Sequence, residues 1–135
     1  MKILCLDLGD AWTGSAISDP LGILAIPYET VPAASLEEFL VRTIEKEGLR
    51  KIVIGYPKTM RGTISAQTQK IIDKKKELEE KFKDIEWVLW DERLSSKRAG
   101  QLKKTKTKEE KIKSHSIAAA FILESYLEYL QAQKH

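Results

Sequence analysis

The stretch ILCLDLGDAWTG, residues 3–14, decides the fold. Ile3, Leu4, Cys5, Leu6 and Leu8 make an apolar run of the length expected for a strand covered on both faces. Asp7 interrupts that run and Gly9 closes it. Taking a carboxylate out of water costs several kcal/mol unless a cation or strong donors meet it. A strand that carries its one acid at its carboxyl end therefore points to a site at that end.

Working outward, Thr13 to Ser18 and Ile23 to Val31 read as two further strands, joined by a turn at Asp19-Pro20-Leu21-Gly22. Ser35, with Glu38 three residues later, predicts a helix opened by a capping box, and Gly48 is its expected C-terminal cap. KIVIGYP supplies a short apolar strand, Ile52 to Ile54, ended by Gly55 and Pro57. The spacing of Ile71, Ile72, Leu78 and Phe82 predicts the inner face of a helix from Ser65 to Phe82. Glu86 to Trp90 reads as a fifth strand, and Ser95 or Ser96 as the cap of a short helix. Ser114 reads as the cap of a last helix running to Leu130, which places His115 in its first turn. Three strands, then alternating helices and strands, predict an α/β fold: a mixed five-stranded sheet flanked by helices. In such a sheet the chemistry lies at the carboxyl ends of parallel strands.

The chain has 135 residues, which suits a single domain over 1–135, and its 42% hydrophobic and 32% charged composition is that of a soluble globular protein. There is no membrane-span pattern and no signal-peptide pattern, so a cytoplasmic protein is expected. Cys5, the single cysteine, reads as core filler in a reducing compartment. A net charge of +3 does not by itself argue for nucleic acid. Its distribution is more informative: KKTKTKEEKIK, residues 103–113, sets six lysines against Glu109 and Glu110. Taken alone this reads as a solvated loop.

WVLWDERLSS, residues 87–96, puts Asp91 and Glu92 at the end of the fifth strand, as Asp7 ends the first. Neighbours on a strand point to opposite faces, so only one of Asp91 and Glu92 can share a site with Asp7. Carboxylates converging at a sheet edge repel one another unless a divalent cation lies between them, and hard oxygen donors suit magnesium or manganese. Singly, Asp7 reads as an acceptor of turn amides and Glu92 as half of a surface ion pair. Together they read as a metal site.

Four segments resemble the YqgF/RuvX family of Holliday-junction resolvases, which has a ribonuclease H-like fold and is linked to maturation of the small-subunit ribosomal RNA precursor. They are D-x-G in LDLG, the loop GYPKTMRGT, the strand end DERLSS, and the helix SHSIAAAFILESYL. The resemblance implies Asp7 and Glu92 as metal ligands and catalytic residues. It places His115 where the family carries a third carboxylate, which is a substitution. The loop also departs from the family's pattern, reading Asp10-Ala11-Trp12-Thr13 where threonine or serine and basic residues are usual.

The implied reaction is phosphodiester hydrolysis by two Mg2+ or Mn2+ ions about 4 Å apart, with Asp7 bridging, Glu92 holding one and His115 completing the other. The expected partner is nucleic acid, either ribosomal RNA precursor or branched DNA, bound by a monomer or weak homodimer with no membrane. Lys58 and Arg61, in the loop between Gly55 and Gly62, would add positive charge beside a helix N-terminus. Lys103, Lys104, Lys106 and Lys108 would track the sugar-phosphate backbone without reading sequence. Trp12 is placed to stack on a base, whereas Trp87 and Trp90 read as packing residues. D-x-G after a first strand also opens sugar-kinase and actin-type ATPases, but those need two such domains. The rival of a different class is a nucleic-acid-binding protein that keeps the nuclease fold without turnover, a reading that His115 and the altered loop support.

Overall fold

The computed structural model describes residues 1–56, 65–91 and 107–134. The chain forms β1 (Ile3–Leu8), β2 (Trp12–Ser18), β3 (Ala25–Pro32), α1 (Leu36–Glu47), β4 (Lys51–Tyr56), α2 (Ala66–Lys81), β5 (Glu86–Asp91) and α3 (Lys108–Gln133). The strands make one sheet in the order β3-β2-β1-β4-β5. β1 to β3 form the antiparallel meander, while β4 lies parallel to β1 and β5 parallel to β4. This mixed sheet, flanked by three helices among the described residues, is the ribonuclease H-like architecture expected from the sequence.

Period-two alternation divides the core in two. On one face Leu4, Leu6, Ile52 and Ile54 pack against α1 and α2 through Phe39, Leu40, Ile71 and Leu78. On the other, Ile3, Cys5, Ala16 and Val53 meet Ala119, Ile122, Leu123 and Leu127 of α3. Burial along β1 is complete from Leu4 to Leu6, and the strand then emerges, leaving Asp7 and Leu8 half-buried. Asp7 therefore does not bear the full desolvation cost that a wholly buried strand would impose.

Two helix starts differ from the sequence reading. At α1 a 3₁₀ turn, Ala33–Ser35, precedes the helix. It leaves Ser35 at φ −100°, ψ 7°, outside the extended conformation that aims a capping hydroxyl at the helix amides, and no side-chain cap forms. At α3 the helix starts two turns earlier than Ser114. Thr107 Oγ1 accepts from the Glu110 amide at 3.0 Å while Glu110 Oε2 accepts from the Thr107 amide at 3.4 Å, a reciprocal capping box. Residues 107–113 of the lysine-rich stretch are thus cap and helix rather than loop. Ser114 is an interior residue whose hydroxyl donates to the Lys111 carbonyl at 2.6 Å. Gly48 does end α1 in the left-handed conformation, at φ 64°.

A polar network ties the opening of β1 to α1 and β3. Lys2 Nζ donates to Glu47 Oε1 at 2.7 Å, and the Tyr28 hydroxyl donates to Oε2 at 3.1 Å. The Lys2 hydrogen bond, ahead of the one from Tyr28, holds the Glu47 carboxyl below its ordinary range. A depressed carboxylate pKa contributes stability above the unfolded-state value and loses it as pH falls through the folded-state value. Glu47→Gln is therefore expected to cost about 0.5–1 kcal/mol at pH 7. In thermal melts the gap from wild type should close as pH falls below about 4.5. A gap that stayed constant down to pH 3 would show that the ion pair contributes nothing.

Candidate active site

The register of β1 on β2 builds the site. Asp7 lies opposite Gly14, with Cα atoms about 5 Å apart as in any antiparallel pair. Asp7 follows Ile3 and Cys5 at period two and so belongs to the α3 face of the sheet. Gly14 is on that face too, and the α3 backbone descends onto it. A Cβ built on Gly14 would stand 2.1 Å from the His115 carbonyl oxygen and 2.7 Å from the Ser116 nitrogen. Only glycine permits this approach, which brings the main chain of His115 beside the strand pair carrying Asp7. His115 itself is half-buried in the third turn of α3. The expected position in the first turn is thus corrected, because the helix begins at Lys108.

β5 distributes its residues in the same way. Val88 and Trp90 join the α3 side, and Trp87 and Leu89 the α1/α2 side. Asp91, in register with Tyr56, accordingly falls on the face opposite Asp7. Glu92 lies outside the described residues, as do Lys58, Arg61, Lys103, Lys104, Lys106, Gly62 and the helix expected at Ser95 or Ser96. Among the described residues no three His, Cys, Asp or Glu side chains converge on one point.

Lys108 is exposed in the first turn of α3, and Lys111 and Lys113 extend the same basic segment towards His115. Gly55 sits within β4, where a Cβ would stand 2.8 Å from Cδ1 of Ile122. It serves the packing of α3 rather than a turn. Trp12 is half-buried at the start of β2, paired with Pro32. Trp87 packs on Phe82, with ring centroids 6.4 Å apart, and Trp90 on Tyr126 at 5.1 Å. Sequence reasoning missed Gly14. Its signal was legible, a glycine inside a strand, which marks close approach of another backbone.

On the α1/α2 side of the same strand end lies a cleft of about 230 Å3, unforeseen from the sequence, between the β1–β2 turn and the first turns of α2. Lys70 of α2 reaches Asp10 of that turn at 3.9 Å. Among the described residues no helix is long and apolar enough to cross a membrane.

Comparison with known proteins agrees with this architecture. The family described as "RuvX: Holliday junction resolvase" matches residues 1–129. A protein of Rubrobacter xylanophilus named "Putative pre-16S rRNA nuclease" is 36% identical over 128 residues, covering 94% of this chain and 92% of its own. One of Acetivibrio thermocellus with the same name is 38% identical over 138 residues, covering 95% and 96%. A phytoplasma relative, from onion yellows, is 39% identical over 136 residues, covering 95% and 89%. A match this long, on a sheet that carries its first-strand aspartate at the emerging end, means that the chain belongs to the RuvX family.

Proposed function

We propose that this protein is a metal-dependent endonuclease that cleaves phosphodiester bonds at the 5′ end of the small-subunit ribosomal RNA precursor. The observation that carries the reading is the placement of Asp7: an acid at the emerging end of the central strand, on the face where Gly14 admits the backbone of His115. The names of the relatives favour RNA as the substrate.

Asp7 offers a hard oxygen donor at a position still open to water, which suits Mg2+ or Mn2+. The described residues contribute two of the three proposed ligands, Asp7 and His115, and Glu92 would be the third. A divalent ion held there supplies charge neutralisation at the phosphate and a water of lowered pKa. The chain's own part is to orient Asp7 through the β1–β2 ladder, to bring His115 in on α3, and to hold the substrate backbone with Lys108, Lys111 and Lys113, and with Lys58, Arg61, Lys103, Lys104 and Lys106.

The test is to incubate the purified full chain with labelled ribosomal RNA precursor, a four-way DNA junction and single-stranded RNA, with Mg2+ or Mn2+. Cleavage of the precursor is expected. Cutting of the junction alone would make the protein a resolvase. Binding without cleavage in either ion would make it the non-catalytic nucleic-acid-binding protein, and calorimetry should then find no Mn2+ site that depends on Asp7.

A prediction follows at His115. Imidazole is a poorer partner for magnesium than carboxylate and more tolerable for manganese. The wild type is therefore expected to work faster in Mn2+. His115→Asp should raise the Mg2+-dependent rate about tenfold, about 1.4 kcal/mol of barrier, and tighten Mg2+ binding in calorimetry. Unchanged rates and affinities in both ions would leave His115 as a packing residue.

A further inference from the structure

The cleft beside Asp10 has a definite chemical character. Its floor is apolar, formed by Leu8, Leu36 and Ile71, and its lip carries two lysines of α2, Lys70 facing Asp10 and Lys74 paired with Glu77 at 3.3 Å on its own helix. A volume of about 230 Å3 falls below the roughly 300–1,000 Å3 of sites that enclose a whole small ligand. It suits one planar ring system rather than a free nucleotide.

The lip is built in advance. The Ala33 amide donates to the Ala11 carbonyl at 2.9 Å, tying the β1–β2 turn to the 3₁₀ turn before α1. A Cβ on Gly9 would stand 2.6 Å from the Trp12 carbonyl oxygen, so the turn is as tight as glycine permits. Across the opening, Lys70 and Asp10 form a long pair between side chains 73% and 94% exposed. Such a pair is worth little and yields to a competing anion. The cleft opens at the same strand end as Asp7, on the opposite face of the sheet, with Leu8 lining it as the next residue of the strand.

We infer that this cleft receives the base of one unpaired nucleotide next to the scissile phosphate, with Lys70 and Lys74 on the flanking phosphates. A polyanion running past Asp7 meets two cations at the lip, and a base swung off the strand meets an apolar floor of ring dimensions. A base held in a duplex cannot enter, so the cleft selects unpaired substrate. The inference rests on the nucleic-acid reading above and adds to it where one base goes.

The test uses the full chain carrying Asp7→Asn, so that the strand is not cut, and single-stranded RNA spanning the 5′ processing junction. A single abasic nucleotide is moved along the strand and affinity is read by fluorescence anisotropy. One position is expected to weaken binding at least about fivefold, as loss of a stacked base does. Plugging the cleft from either wall, with Ala33→Phe or Gln67→Phe, should erase that position dependence while the abasic strand binds within about twofold of before. Lys70→Ala with Lys74→Ala should flatten the salt dependence of binding. Salt-dependent binding that is uniform over all abasic positions would overturn the cleft assignment and leave the nucleic-acid reading standing, as would position dependence that survives both plugs. Absence of binding to every strand would overturn both.

Discussion

Asp7→Asn is expected to lower metal-dependent cleavage at least about a thousandfold, on the order of 4 kcal/mol of transition-state stabilisation, while the protein stays folded. The reasoning begins with β1. Asp7 is the only acid in that strand, and alternation sets it on the α3 face at the point where burial ends. Asparagine keeps the shape and one oxygen but removes the charge that would hold a divalent ion. Asp91 cannot take the place of Asp7, since it falls on the other side of the sheet. Stability should move little, because Asp7 is half-buried and the core runs from Ile3 to Leu6. A melting temperature within about 2 °C of wild type, or higher where removal of a half-buried charge helps the metal-free protein, is the expected companion result. Normal cleavage by the Asn chain would remove Asp7 from the reaction, and collapse of the fold would recast it as a structural carboxylate.

How much of this was legible in the sequence depends on which force set each feature. The five strands follow from apolar runs and turn residues, signals carried by adjacent residues, and no bound is shifted by more than two residues. β4 runs to Lys51 and Tyr56, past its apolar run, because ladder pairing with β1 and β5 continues there. Helix starts were harder, since a cap is a conformation as much as a residue type. Ser35 and Glu38 carry the capping pattern, yet the preceding 3₁₀ turn takes Ser35 out of the backbone region the cap needs. Thr107 and Glu110 carry the same pattern and do close the box. It was obscured by a lysine-rich run without apolar periodicity, because the first two turns of α3 contain no fully buried residue. Within the candidate site, Asp7 stood out as a charge in an apolar strand. The cleft beside Asp10 did not, because Leu8, Leu36 and Ile71 read as three ordinary core positions until the chain brings them together.

Among the described glycines, Gly14 is where an added methyl group should do most damage, as Gly14→Ala. The added Cβ would meet the His115 carbonyl oxygen at 2.1 Å, its carbon at 2.2 Å and the Ser116 nitrogen at 2.7 Å. All three are backbone atoms of a helix whose next turns are locked into the sheet by Ala119, Ala120 and Leu123. No rotamer change relieves the clash, so α3 must lift or β2 must bend. Overpacking against side chains costs about 1–3 kcal/mol. Against helix backbone the expected loss is at least about 3 kcal/mol, a fall in melting temperature of roughly 10 °C or more. Since the displaced segment carries His115, cleavage should fall even at temperatures where the variant is folded. Gly55→Ala is the informative comparison. There the Cβ would meet Ile122 Cδ1 at 2.8 Å and Cγ2 at 3.2 Å, the movable end of a side chain. Its cost should be nearer about 1–2 kcal/mol, and Ile122→Val, which removes Cδ1, should recover part of it. No truncation on α3 can rescue Gly14→Ala, because the obstacle is main chain. Thermal melts of the two glycine variants with and without second-site truncations decide the point: if shortening any α3 side chain restores Gly14→Ala, the helix does not rest on that glycine by its backbone, and the approach of His115 to the Asp7 strand pair is looser than the fold requires.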